Sequence, residues 1–273
     1  MKAAAFDYAR PRDLGEALRL LAEGSGAAKL LAGGQSLGPM LNLRLARPGL
    51  LVDVSRLAEL REIKNTGSAW RIGGAVTHAE IEDATLPGGE ALSLVAAGIA
   101  YRAVRTRGTI GGSLAHADPA ADWPLALAAV DARIEVRGPN GARRVAAAEF
   151  ITGAFASILR DGEIVTAVDV AKRPEARWGY FKFCRRTGEF PDASAAAVFD
   201  PMRGTARIFV GALAGAPQPL AAYSATIARA GAQACTIEAA DGALKALTPL
   251  ADTPERRMHA AVLRHALAQV WQR

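Results

Sequence analysis

Residues 1–55 combine one helical and two strand-like patterns of apolar positions. A capping box at 13–16 predicts a helix start, and apolar residues then recur at helical spacing until Gly24. Apolar runs at 28–32 and 50–54 predict two neighbouring strands. We therefore expect a small α/β lobe whose short strands are partly parallel.

The pattern over 56–176 mixes strands with helices. Strands are predicted at 70–74 and 163–170, and two further strands form a hairpin across the turn Gly138-Pro139-Asn140-Gly141. The two hairpin strands cover 132–137 and 142–147. A second capping box at 77–80 predicts the start of a short helix, and two further helices are predicted at 90–100 and 119–129. A larger mixed lobe follows, and we expect residues 1–176 to form one two-lobed domain.

The C-terminal third changes from strands to helices. Strand patterns cover 178–186, 194–200 and 205–213, and an alanine-rich, helix-prone tract covers 221–246. Thr253-Pro254-Glu255 predicts the start of the last helix, with proline at its first position. The predicted fold is therefore α+β: the two-lobed domain, then a domain over 177–273 with a small antiparallel sheet and helices.

Composition is that of an ordinary globular protein, since 51% of the 273 residues are apolar and 22% are charged. No stretch of 18 uninterrupted apolar residues occurs, so no membrane span is predicted, and the start of the chain lacks a signal-peptide core. A cytoplasmic location is the expectation. The net charge of +6 comes from scattered arginines without interleaved aromatic residues, which argues against nucleic-acid binding. A solvated basic surface is favoured over a patch that faces an acidic partner.

The chain has two cysteines, Cys184 and Cys235. Two cysteines do not indicate a disulfide framework, and they cannot supply the four thiolates of an ordinary iron–sulfur cluster. Both cysteines are expected to be buried apolar residues. The four histidines lack metal-ligand spacing, so no metal site is predicted. No catalytic Ser-His-Asp set or carboxylate pair can be argued either.

Two glycine-rich segments carry the chemistry. The first is Ala32-Gly33-Gly34-Gln35-Ser36-Leu37, and the second begins Thr109-Ile110-Gly111-Gly112-Ser113 and continues to Asp122. Glycine lets backbone N–H groups approach a ligand closely, and successive N–H groups in a turn bind anions. Two such segments predict a ligand whose phosphates are held from two sides. Neither the Gly-x-Gly-x-x-Gly fingerprint nor a P-loop is present.

These segments closely resemble the FAD-binding medium subunits of the molybdenum hydroxylases, a group that includes carbon monoxide dehydrogenase and xanthine dehydrogenase. The family motifs Ala-Gly-Gly-(His/Gln)-Ser-Leu and Thr-Ile-Gly-Gly-(Asn/Ser) stand at 32–37 and 109–113. The tracts 51–55, 162–168 and 180–190 are also similar to family segments. The resemblance covers nearly the whole chain and implies an FAD-binding domain of the PCMH type.

The resemblance implies which residues contact a non-covalent FAD. Gly33, Gly34, Gln35 and Ser36 would hold the pyrophosphate from one side, and the second segment would hold it from the other side. The complete implied set is Ala32, Gly33, Gly34, Gln35, Ser36, Leu37, Thr109, Ile110, Gly111, Gly112, Ser113, Ala117, Asp122, Ile164, Val165 and Lys182.

The alternative for Gly33, Gly34, Gln35 and Ser36 is a tight strand-to-helix turn, and four further positions also have an ordinary structural alternative. Asp122 matches the family residue that binds the flavin ribityl chain and is favoured over an exposed helix-start acid, a role open to Asp118. Lys182 matches a lysine near the flavin, but an exposed strand lysine fits the pattern equally well. Ile164 and Val165 match apolar residues that pack on the cofactor and also fit a plain core. Phe190 replaces a family tyrosine beside the flavin, which puts tyrosine-dependent gating in doubt.

The function implied by the resemblance is electron transfer within a heterotrimeric molybdenum hydroxylase. A large molybdopterin-binding subunit would oxidise the substrate, a small subunit would pass electrons through [2Fe–2S] clusters, and FAD on this chain would deliver them to an external acceptor such as NAD or a quinone. Two alternatives stay open: a self-contained FAD-dependent oxidoreductase, and a binding module that has lost its flavin. The intact glycines of both segments argue against the second.

Overall fold

The N-terminal lobe is a parallel three-stranded sheet with two helices. The computed structural model describes residues 2–247 and 254–272. The elements of this lobe are β1 (Asp7–Ala9), α1 (Leu14–Glu23), β2 (Ala28–Leu31), α2 (Leu37–Asn42) and β3 (Leu50–Asp53), and the strand order is β1-β3-β2. The predicted helix and both strands are confirmed. The sequence pattern predicted neither β1 nor α2, because both are short and α2 contains Gly38 and Pro39.

Asp13 caps the start of α1 as predicted, but the reciprocal bond of a capping box is replaced, because Glu16 Oε2 accepts from the N–H of Arg12. The side chain of Asp13 accepts a hydrogen bond of 2.7 Å from the backbone N–H of Glu16, and such a cap stabilises a helix by about 1 kcal/mol. The strands β2 and β3 pair in parallel, with Leu30 opposite Val52. This pairing brings the C-terminal end of β2, and with it the first glycine segment, to one edge of the lobe.

A five-stranded antiparallel sheet forms the larger lobe, in the order β4-β5-β10-β6-β7. Its central strand β10 pairs with β5 and β6, and both predicted strands and the predicted hairpin are confirmed. The elements are β4 (Ile63–Asn65), β5 (Ala69–Gly73), α3 (His78–Asp83), α4 (Glu90–Ala97), α5 (Arg102–Arg105), α6 (Ile110–His116), α7 (Asp122–Ala129), β6 (Arg133–Gly138), β7 (Gly141–Ala146), α8 (Ala147–Phe150), β8 (Ile151–Gly153), β9 (Ala156–Ser157) and β10 (Ile164–Ala171).

Two helix predictions in this lobe need correction, and helix α6 was not predicted. The helix expected at 90–100 ends at Ala97, and the helix expected at 119–129 begins only at Asp122. The preceding residues form a turn in which the side chain of Asp118 accepts a hydrogen bond from the N–H of Ala120. The second glycine segment is not a loop: Gly111 and Gly112 belong to the first turn of α6, despite the low helix propensity of glycine.

The C-terminal part is a four-stranded antiparallel sheet covered by helices, as predicted. Its elements are β11 (Arg177–Phe183), β12 (Ala193–Asp200), β13 (Thr205–Gly211), β14 (Gln218–Pro219), α9 (Ala221–Ala230), α10 (Ile237–Lys245) and α11 (Pro254–Trp271). The first strand ends three residues earlier than expected, and the tract 221–246 is two helices because Gly231 adopts a φ of 60° between them. Thr253 lies outside the described residues, and the last helix begins at Pro254.

Helix α7 connects the two parts of the molecule. All eight of its residues are buried, as expected for a helix that is apolar on every side. Leu125, Ala128 and Ala129 of this helix pack against Ala196, Val198 and Phe209 of the C-terminal sheet. The α+β class is confirmed. The boundaries at 55 and 176 stay predictions, and Leu57, Leu60 and Ile164 share the core of the small lobe.

Candidate functional site

The first glycine segment presents a row of unpaired backbone donors. It follows β2 directly, and Gly34 adopts a φ of 71° that favours glycine. None of the described residues accepts a hydrogen bond from the backbone N–H groups of 33–37. Ser36 precedes α2, and its hydroxyl has no partner in the described part of the chain. A turn with successive free N–H groups is a concave anion site, which agrees with the predicted phosphate contact.

The second glycine segment is built differently, because the backbone N–H groups of residues 110–113 already have acceptors within the protein. The N–H groups of Ile110 and Gly111 donate to the carbonyls of Val76 and Gly74 at 3.1 and 2.9 Å. The side chain of Thr109 caps α6 by accepting from the N–H of Gly112 at 3.1 Å. The N–H of Ser113 donates to the carbonyl of Thr109. What residues 109–113 can offer a ligand is therefore the N–H of Thr109, which has no acceptor among the described residues, and the hydroxyl of Ser113, which is half-buried and unpaired there.

The structure brings the two segments into contact, and glycine makes the contact possible. A Cβ placed on Gly33 would lie 2.0 Å from the carbonyl oxygen of Arg107, two residues before the second segment. A Cβ on Gly111 would lie 2.5 Å from the carbonyl oxygen of Gly74. The sequence argument assigned these glycines to close approach by a ligand. The structure shows that Gly33 and Gly111 are required by the protein's own backbone.

Asp122 and Lys182 form a buried ion pair across the two parts of the molecule. Asp122 is the first residue of α7 and is only 6% exposed, so it is not a solvated helix-start acid. Its Oδ1 accepts from Lys182 Nζ at 2.7 Å and from the hydroxyl of Tyr180 at 2.6 Å. Lys182 is therefore not an exposed strand lysine, and its charge is neutralised by Asp122. No described residue donates to Oδ2 of Asp122.

The remaining predicted residues range from buried core positions to one exposed side chain. Ile164 packs in the small-lobe core and Val165 in the larger-lobe core, so the start of β10 joins the lobes. Ala117 is fully buried and ends α6 with a φ of 55°. Ile110 is also fully buried, whereas Leu37 and Ala32 are half-buried and Gln35 is exposed. Their contact with a cofactor stays a prediction.

Two residues near the site were missed by the sequence argument. Tyr180 stands two positions before Lys182, so strand alternation places both side chains on one face, a signal that was available in the sequence. His78 accepts from Trp123 Nε1 at 3.1 Å, and its backbone N–H donates to the carbonyl of Gly108. Burial lowers the pKa of His78 to about 4. No sequence pattern linked His78 to the second glycine segment.

The segment after β11 is largely exposed. Phe190 is 62% exposed, and a Cβ on Gly188 would lie 2.6 Å from the ring of Tyr101. The two cysteines are half-buried rather than fully buried, because Cys184 lies just past the end of β11 and Cys235 between two helices. Burial raises the pKa of the Cys184 thiol. Within residues 2–247 and 254–272, no group of three or more His, Cys, Asp or Glu side chains could hold a metal ion.

Comparison with known proteins identifies the family of this site. Residues 4–172 match the family described as the FAD binding domain in molybdopterin dehydrogenase. The chain is 40% identical over 204 residues to the 6-hydroxypseudooxynicotine dehydrogenase complex subunit alpha of Paenarthrobacter nicotinovorans, covering 72% of this chain and 68% of the relative. It is 40% identical over 199 residues to the carbon monoxide dehydrogenase medium chain of Hydrogenophaga pseudoflava, covering 71% and 68% of the two chains.

Solved structures agree with the sequence matches. A chain of carbon monoxide dehydrogenase from Hydrogenophaga pseudoflava superposes with a TM-score of 0.93 at 33% identity, covering 100% of this chain and 99% of that one. A chain of quinoline 2-oxidoreductase from Pseudomonas putida 86 gives 0.90 at 31% identity with the same coverage. The fold and the glycine segments define an FAD-binding domain of the PCMH type. The chain belongs to the family of FAD-binding medium subunits of molybdenum hydroxylases, which are oxidoreductases.

The side chains and donors present fit FAD. The free N–H groups of 33–37 suit a pyrophosphate, and the unpaired Oδ2 of Asp122 suits a sugar-like hydroxyl. None of the helices in the described ranges has the length and apolarity that a bilayer span requires.

Proposed function

We propose that this chain is the FAD-carrying electron-transfer subunit of a heterotrimeric molybdenum hydroxylase. It accepts electrons from [2Fe–2S] clusters of a small subunit and passes them to an external acceptor such as NAD or a quinone. A large molybdopterin-binding subunit oxidises the organic substrate. The names of the relatives support this assignment, since they are medium subunits or complex subunits of dehydrogenases and hydroxylases.

The observation that carries the proposal is the row of free N–H groups at 33–37. In the proposed site these donors, with the hydroxyls of Ser36 and Ser113, bind the pyrophosphate of FAD. Asp122 accepts from the ribityl hydroxyls, and Lys182 balances its charge. The remaining predicted residues, Ala32, Leu37, Thr109, Ile110, Gly111, Gly112, Ala117, Ile164 and Val165, shape and line the walls. Bound FAD supplies a ring system that takes up electrons and releases them to a second acceptor.

In this proposal partner chains bind the [2Fe–2S] clusters and the molybdopterin. Two cysteines cannot ligate a [2Fe–2S] cluster that needs four thiolates, and an electron pathway through such clusters requires a second polypeptide. The chain also offers no recognisable set of residues for activating an organic substrate. The complete assembly is therefore expected to contain three different subunits, in the cytoplasm.

The first experiment tests the cofactor. The purified chain is expected to be yellow, and acid or heat should release FAD into the supernatant, because no covalent attachment is proposed. Flavin that remains on the denatured chain, or FMN in the released fraction, would contradict this assignment. Wild-type protein that binds no flavin at all after incubation with FAD would remove the basis of the whole proposal.

The second experiment tests the dependence on partners. Dithionite should bleach the flavin of the isolated chain, whereas the organic substrate of the complex should not. Coexpression with a molybdopterin-binding subunit and an iron–sulfur subunit should restore substrate-driven bleaching. Turnover of organic substrate by the isolated chain above about one per second, the lower end of usual enzyme rates, would instead support a self-contained FAD-dependent oxidoreductase.

A further inference from the structure

The carboxylate of Asp122 is held asymmetrically. Its Oδ1 accepts two hydrogen bonds, from the Tyr180 hydroxyl at 2.6 Å and from Lys182 Nζ at 2.7 Å. Its Oδ2 has no donor within the described residues. Both donors come from β11, whereas Asp122 begins α7, so the C-terminal sheet fixes an acid of the FAD-binding domain.

We propose that Tyr180 is a positioning residue of the cofactor site: with Lys182 it holds Oδ1 of Asp122, so that Oδ2 stays available to a hydroxyl group of FAD. This inference rests on the proposed function, because it takes Asp122 as a ligand of FAD. Tyr180 acts through Asp122 and has no assigned contact with the cofactor. The family match ends at residue 172 and therefore does not include Tyr180.

The backbone of β11 is fixed tightly enough to serve this purpose. The N–H of Tyr180 donates to Gln269 Oε1 on α11 at 2.9 Å. A Cβ on the neighbouring Gly179 would lie 1.9 Å from the carbonyl oxygen of Ala266, so the strand lies directly against that helix. Helix α11 therefore fixes the backbone of β11 at Tyr180, and the ring itself packs against the cluster of α7 and the C-terminal sheet that includes Leu125 and Ala196.

Tyrosine suits this role better than the lysine alone. A lysine has a flexible four-carbon stem and holds a partner in several geometries, whereas a tyrosine ring has only two rotatable bonds. Burial and the neighbouring Asp122 carboxylate raise the pKa of Tyr180 well above its ordinary value, so the hydroxyl keeps its proton. It therefore remains a donor wherever Asp122 is ionised.

The test is the affinity of apo-protein for FAD, measured by flavin fluorescence, in Tyr180→Phe. The variant keeps the ring and removes the hydroxyl. We expect about a tenfold loss of affinity for FAD, because a hydrogen bond to a charged group is lost. Tyr223→Phe is the matched control, because its hydroxyl also makes one partly buried hydrogen bond, to the carbonyl of Ala234 at 3.1 Å, and its ring packs in the C-terminal core. Its affinity for FAD should stay within about twofold of the wild type.

A double-mutant cycle separates positioning from a general loss of stability. In an Asp122→Ala background, Tyr180→Phe should cause no further loss of affinity, because the carboxylate that it positions is gone. Tyr223→Phe should have the same small effect in both backgrounds. If Tyr180→Phe does not fold, Asp122→Asn weakens the same hydrogen bond from its other end, and its affinity should fall at least as far.

Three results would overturn the inference. They are an unchanged affinity of Tyr180→Phe, an equal loss of affinity in Tyr180→Phe and Tyr223→Phe, or a full additional loss in the Asp122→Ala background. In each case wild-type protein still binds FAD, so the proposed function would stand. Wild-type apo-protein that binds no FAD would overturn both.

Discussion

Gly33 lies so close to Arg107 that a Cβ on the glycine would stand 2.0 Å from the arginine's carbonyl oxygen. This contact joins the first glycine segment to the residues that lead into the second. The two segments thus form one surface because the residue at position 33 is a glycine, which has no side chain. The free N–H groups of 33–37 depend on this arrangement, since it fixes the backbone that presents them.

Gly33→Ala is expected to destabilise the apo-protein by about 2 kcal/mol, because the methyl group must displace the backbone of Arg107. Loss of FAD would then follow from the distorted segment. Gly38→Ala is the control, since a Cβ there meets nothing within 4 Å and the site lies in helix α2. That variant should be neutral or slightly stabilised. Equal unfolding midpoints of the two variants in urea would contradict this explanation.

Thr109→Ala should cost about 1 kcal/mol of stability and also weaken FAD binding. The Thr109 side chain caps α6 by accepting from Gly112 N–H, and its loss frees the first turn that carries Ser113. Thr236→Ala removes a cap of the same kind on α10, from Ala239 N–H at 3.1 Å, at a distance from the site. It should cost similar stability and leave the affinity for FAD unchanged. Thr109→Ser should retain both properties.

Ser36→Ala is expected to weaken FAD binding without changing the stability of the apo-protein. The Ser36 hydroxyl has no partner in the described part of the protein, so the stability of the apo-protein should change by less than about 0.5 kcal/mol. The affinity for FAD should fall about fivefold if the hydroxyl donates to a phosphate. Ser224→Ala is the opposite case, because Ser224 Oγ bonds within the C-terminal core. It should lose stability and keep its affinity. An unchanged affinity in Ser36→Ala would remove this hydroxyl from the site.

The sequence alone predicted most strands, the α+β class and the two glycine segments, because these follow from local periodicity and motif. It could not predict how the segments meet. No helix was predicted over 110–116, where the Thr109 cap and the contact of Gly111 with Gly74 decide the structure. The pairing of Asp122 with Tyr180 and Lys182 depends on the docking of α7 against the C-terminal sheet. Such tertiary contacts leave no local pattern.

The buried histidine next to the second glycine segment predicts a pH dependence of stability. His78 is 5% exposed, and a Cβ on Gly108 would lie 2.8 Å from its ring. Burial, and secondly the Arg105 cation, lower the pKa of His78 from 6.5 to about 4. The unfolded chain therefore takes up a proton at a higher pH than the folded chain. The stabilisation from this residue is complete above pH 6.5 and falls as the pH decreases towards 4.

The expected loss over that window is roughly 3 kcal/mol, from about 1.4 kcal/mol for each pKa unit. His78→Asn is the informative variant, because its side-chain oxygen can accept from Trp123 Nε1 without titrating. Every other group is the same in both proteins, so the difference between their stability curves isolates His78. Urea unfolding of the apo-proteins between pH 4.5 and 7.5 should give a steeper slope for the wild type. Parallel curves would mean that His78 takes up its proton without disturbing the fold.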